Sequence, residues 1–166
     1  MYRELGTFAR RMLTQKSLWK DGEIWTAALL GVGAYLLFRK DPVMIEKIRH
    51  HFGDLLTTIS IVFGFVLAAL LFYIQAASLW AKDENIGRVA DKIVDWHVWT
   101  IVCMLGLIGY ILGLWSLGVY LDFRSRLCFG LHAFLVFLVP YCGFQILDHT
   151  LTVWWSFRRR NHLLKK

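Results

Sequence analysis

The chain has 166 residues, of which 57% are hydrophobic, 16% aromatic and 19% charged, with mean hydropathy +0.50 and net charge +7. Soluble domains sit nearer about 45–50% apolar and about 25% charged, so this composition points to a membrane protein and away from a soluble globular domain. The length suits one hydrophobic unit without a second domain.

In chain order, "MYRELGTFARRMLTQKSLWK" opens the sequence. It is basic, and it lacks the apolar core and small-residue cleavage site of a secretory signal. Tyr2, Leu5, Phe8 and Met12 recur at helical spacing, with Arg3, Arg10, Arg11 and Lys16 on the basic side. This pattern predicts an amphipathic interfacial helix over residues 1–20, lying on an anionic inner leaflet or docking a cytoplasmic partner.

Four apolar stretches follow, at about 24–38, 55–80, 96–121 and 127–155, ahead of a basic tail at 156–166. A hydrocarbon core of about 30 Å needs about 20 helical residues, so the first stretch is short and the last two are long enough to tilt or project. The expected fold is an all-α, four-helix transmembrane bundle forming a single domain.

Lysine and arginine counts orient it. Arg3, Arg10, Arg11, Lys16 and Lys20 share one side with Lys82, Arg88 and Lys92 and with Arg158, Arg159, Arg160, Lys165 and Lys166, thirteen in all. The other side has six: Arg39, Lys40, Lys47, Arg49, Arg124 and Arg126. Both termini are therefore expected in the cytoplasm of a bacterial inner membrane. Trp19, Trp25, Trp80, Trp96, Trp99, Trp154 and Trp155 all fall at ends this topology puts inside, with Trp115 the one exception. Indoles favour the headgroup interface, which supports the same span count.

Small residues form stripes on two spans. Gly106, Gly109, Gly113 and Ser116 lie on one helix face, and so do Thr57, Ser60, Gly64 and Ala68. Close approach over small residues drives helix association in lipid. Three arrangements follow: the two faces meet each other, one of them meets a second copy, or they line a narrow pore.

The middle of each span is free of charge, which argues against a proton-coupled multidrug pump. The fourth span carries Tyr141, Gln145, Asp148 and Thr152 on its inner half, with His149 beside them and Pro140 just before. With Gln75, His97 and Thr100 at similar depth these form either a polar vestibule or an ordinary helix interface. Asp54, Thr57, Ser60 and His132 are the corresponding outer set.

Cys103, Cys128 and Cys142 lie in apolar runs without redox or metal spacing, and they read as buried small side chains rather than as the centre of a disulfide oxidase. A haem held by His97 and His149 is disfavoured because both sit near water, and His50–His51 reads as a solvated loop. No cofactor, metal, catalytic residue or direct nucleic-acid contact is expected. The segment 81–95 predicts a helical extension joining spans two and three.

The short first span, the run "TTISIVFGFVLAALLFYIQAAS", the mixed-charge inner loop and the polar fourth span resemble small four-span bacterial proteins of phage-exclusion systems, such as the Rex membrane component and the Kiwa membrane subunit. The resemblance covers topology and part of span two. It implies an inner-membrane homo-oligomer that alters permeability or holds a cytoplasmic effector, and it carries over no catalytic residue.

Overall fold

A computed structural model describes residues 22–80, 84–118, 122 and 124–163, with side chains described over 22–72, 94–118, 122, 124–148, 150–151 and 154. The expected interfacial helix, with Arg3, Arg10, Arg11 and Lys16, lies outside the described residues.

Five α-helices make up the described chain: α1 (Gly22–Lys40), α2 (Val43–His50), α3 (Phe52–Trp80), α4 (Glu84–Leu117) and α5 (Arg126–Leu163). In α1, Glu23 sits in the first turn and Arg39 and Lys40 in the last, matching the helix macrodipole. Pro42 then starts α2, where its missing N–H is no loss, and the Asp41 side chain accepts the Val43 N–H at 3.2 Å. Ser125 caps α5 by accepting the Cys128 N–H at 3.1 Å.

Three helices are long and apolar enough to cross a membrane, through Phe52–Phe72 of α3, Val94–Leu117 of α4 and Arg126–Asp148 of α5. The described residues are thus those of a helical protein with three segments suited to a membrane. The 19 residues of α1 reach about 28 Å, but charges at both ends keep it out of this set.

The helix pairing runs α1–α5–α4–α3. Along α1 and α5, Glu23 meets Gln145, Gly31 meets Ala133 and Phe137, and Phe38 joins a cluster with Cys128 and Phe129. The two are therefore antiparallel. Along α4 and α5, the Cys142 thiol donates to the Cys103 carbonyl at 3.7 Å and the Tyr110 hydroxyl to the Leu131 carbonyl at 2.8 Å, again antiparallel.

The core has two parts. One joins α3, α4 and α5 through Ile59, Val66, Leu107, Ile111 and Leu135. The other joins α1, α2 and α5 around Ala34, Ile45 and Cys128. The α2 helix closes one end of the bundle, with Ile45 fully buried and Val43 and Met44 exposed. Most of the remaining apolar surface faces outward: Phe65 is 73% and Leu29 72% exposed. In water such a surface drives aggregation, whereas lipid solvates it.

The seam of α4 is a heptad. His97, Thr100, Met104, Leu107, Ile111, Leu114 and Gly118 alternate spacings of three and four, and each is buried. That is the knobs-into-holes period of a left-handed bundle.

Of the three arrangements open to the small-residue faces, the one in which they meet each other is not seen among the described residues. Gly106 and Gly109 are exposed, Gly113 is half-buried, and Gly64 and Ala68 are exposed. A Cβ added at Gly64, Gly106, Gly109 or Gly113 would touch nothing within 4 Å. At about 100° per residue, Gly109 lies about 200° round from Leu107, on the side of α4 away from its own neighbours. Helices α3 and α4 do pair, but through large aliphatic side chains.

The small-residue packing lies elsewhere. On α1, Ala27, Gly31 and Ala34 are buried at spacings of four and three, continuing to Phe38. A Cβ at Gly31 would stand 3.1 Å from the Phe137 Cβ and 3.3 Å from the Ala133 carbonyl oxygen. No described glycine has positive φ, so close approach rather than backbone freedom accounts for Gly31.

Candidate functional site

Polar side chains collect at the two ends of the bundle. At the end away from α2, half-buried Glu23 stands one turn before the buried stripe that starts at Ala27 of α1. Antiparallel pairing brings Glu23 opposite Gln145, which is 3% exposed and donates from Nε2 to Glu23 Oε2 at 3.2 Å. His97 and Thr100 are buried at the same end of the α4 seam, and Thr100 donates to the Trp96 carbonyl at 3.0 Å.

Tyr141 is half-buried and stacks on Phe137, with ring centres 5.8 Å apart. Asp148 is half-buried. The side chains of Gln75, His149, Thr152, Arg158, Arg159 and Arg160 lie outside the described residues. Of the expected vestibule, Tyr141 and Gln145 are therefore committed to contacts within and between helices. Gln145 faces α1 rather than an open channel, which is the ordinary-interface alternative for that residue.

Sequence reasoning passed over Glu23 as the flank of a span. The signal was present: Glu23 stands four residues before Ala27 on the stripe that Gly31, Ala34 and Phe38 continue.

The pair gives a direct expectation. Gln145→Leu should destabilise the protein by about 1.5 kcal/mol, because it leaves a carboxylate without one of its donors at the edge of the hydrocarbon. Gln145→Glu should cost more, by setting two carboxylates face to face. Reversible unfolding in mixed detergent micelles measures both, and a neutral Gln145→Leu would remove the pair from the stabilising contacts.

At the end closed by α2, His132 is 1% exposed. Its Nδ1 lies 2.9 Å from the Cys128 carbonyl and its ring stacks on Phe52, with centres 6.1 Å apart. A Cβ at Gly118 would fall on the guanidinium of Arg49, so the glycine makes room for that side chain at the C-terminal end of α4. Thr57 and Thr58 donate back to the carbonyls of Gly53 and Asp54, both at 2.9 Å, and so spend their hydroxyls locally.

Cys128 and Cys142 are buried and Cys103 is half-buried, all three as free thiols. Among the described residues no three His, Cys, Asp or Glu side chains converge as a metal site would require.

In comparison with known proteins, the sequence matches no family model, no curated protein and no solved structure.

Proposed function

We propose that the protein is a non-enzymatic, four-span protein of a bacterial inner membrane that assembles with copies of itself into a pore or membrane-perturbing effector. The observation that carries this reading is the outward direction of the glycine faces. A Cβ added at Gly64 on α3 or at Gly106, Gly109 or Gly113 on α4 would meet nothing within 4 Å among the described residues. Glycine in a helix interior is unfavourable by roughly 1 kcal/mol relative to alanine, and in lipid close helix approach is what repays it.

For the span count, α1 runs beside α5 from the level of Gln145 to that of Cys128, which is nearly the whole of the Arg126–Asp148 segment. That match in length supports a fourth crossing by α1. The thirteen-to-six excess of basic residues sets both termini in the cytoplasm. A role in antiphage defence rests on the topological resemblance alone.

Reconstituted in liposomes, the protein is expected to release entrapped ions and to run in lipid nanodiscs at a multiple of its 19.4 kDa chain mass. A strictly monomeric, non-conducting protein that co-purifies with a soluble chain would replace this reading with that of an anchor subunit for a cytoplasmic partner.

A further inference from the structure

His132 is a buried titratable group that neither the packing argument nor the pore reading uses. Its Nδ1 faces a backbone carbonyl, which only accepts, so Nδ1 carries the hydrogen of the neutral ring. That leaves Nε2 as a bare acceptor, and Nε2 is buried with no hydrogen-bond partner among the described residues. The ring is stacked on Phe52, the first residue of α3 and two residues past the end of α2. It therefore holds the corner where the outer cap meets the bundle.

The charged and titratable groups around it are few. From α2, Arg49 brings its positive charge to bear on both His132 and Cys128. On its own helix Cys128 lies one turn away, its sulfur 3.6 Å from Nδ1, with the negative charge of Asp122 acting on that thiol from the connecting segment. Helix α3 offers the uncharged Phe52; its nearest ionisable group, Asp54, is paired at the exposed surface with His51 at 3.1 Å. Helix α4 ends there at Leu117, followed by Gly118, and α1 ends in exposed Arg39 and Lys40.

We propose that His132 is an acid-released latch on the outer cap: when Nε2 takes a proton from solvent, the ring leaves its seat on Phe52 and α2 separates from the bundle. Protonation forms a second N–H with no acceptor in reach among the described residues and adds a positive charge within the influence of Arg49. A buried donor left unsatisfied and a buried unpaired charge each favour a conformer in which the ring reaches water. Acid therefore stabilises the open cap, by linkage between proton binding and conformation. The latch stands apart from the pore reading, since it concerns the conformation of one chain.

Amide hydrogen exchange on the full chain in nanodiscs tests it, with each rate divided by that of the unfolded chain at the same pH. From about pH 7.5 to about pH 4.5, a window spanning the ordinary imidazole value of about 6.5, protection over residues 43–52 is expected to fall at least tenfold. Protection within the α4 and α5 spans should hold. His132→Phe keeps a ring against Phe52 and has no proton to take, so its cap should stay protected throughout.

Flat protection in the unmodified protein overturns the latch, and so does an equal fall in His132→Phe. If that variant does not fold, imidazole nitrogen NMR of the unmodified protein decides. Titration of His132 Nε2 in step with the loss of protection supports the latch, and a ring that stays neutral through the loss overturns it.

Discussion

Gly31→Leu is expected to destabilise the protein by about 3 kcal/mol, the top of the usual range for overpacking a filled site. An added Cβ alone would meet the Phe137 Cβ at 3.1 Å, the Ala133 carbonyl oxygen at 3.3 Å and the Phe137 Cα at 3.7 Å, and the last two of these three atoms belong to the helical backbone. A leucine has to push α1 off α5, which also pulls Glu23 away from Gln145. The sign for Gly31→Ala is less one-sided, because a helix-propensity gain of roughly 1 kcal/mol opposes the close contact, and a change near zero is expected.

Gly33 is the internal control: it lies two residues on in the same helix, and a Cβ there touches nothing within 4 Å. Gly33→Leu should cost less than about 0.5 kcal/mol, as is usual for positions away from the core. In the Gly31→Leu background the effect of Gln145→Leu should largely vanish, since the contact it removes is already lost. Equal costs at Gly31 and Gly33, read by reversible micelle unfolding, would mean that α1 is not held by close approach to α5.

Lipid demands long apolar runs, which made the spanning stretches legible, and within the expected extension 81–95, where Ile86, Val89, Ala90 and Ile93 recur on one side, residues 84–95 are helical. It did not tell which side of each span is buried. In water an apolar stripe marks the core, but in lipid the whole circumference is apolar and the stripe loses its meaning. The seam from His97 to Gly118 shows the difficulty: its inner turns are polar, while exposed Val102, Leu105 and Leu112 read as core residues.

Small-residue spacing has the same ambiguity. It marks a face capable of close approach without naming the helix that approaches. Two such faces, on α3 and α4, drew attention by their glycines, while Ala27, Gly31 and Ala34 form the one that packs inside the chain. Helix α2 lies between the first two expected spans, where no long apolar run marks it, and Pro42 stands at its start, an ordinary place for proline. Half of the inner polar cluster was visible in Tyr141 and Gln145, and the other half, Glu23, becomes visible once α1 is known to lie antiparallel to α5.

Gly109→Leu is expected to have the opposite profile to Gly31→Leu. Gly109 is exposed and stands about 200° round α4 from the seam residue Leu107, so a leucine there enters no contact of the chain's own. Unfolding of the single chain should change by less than about 0.5 kcal/mol, because no core contact is altered. Self-association in nanodiscs should weaken at least tenfold, equivalent to about 1.4 kcal/mol, as the side chain holds a facing backbone away. Ion release from liposomes should fall in step if the conducting form is the assembled one. Gly64→Leu on α3 separates the two faces: a loss at both positions means that both take part in assembly, and a loss at one assigns the contact to that helix. Gly33→Leu, with the same added bulk on α1, should leave assembly intact. If Gly109→Leu and Gly64→Leu both assemble and conduct as the unmodified protein does, the outward glycines have no role in bringing chains together, and the oligomeric reading loses its physical basis.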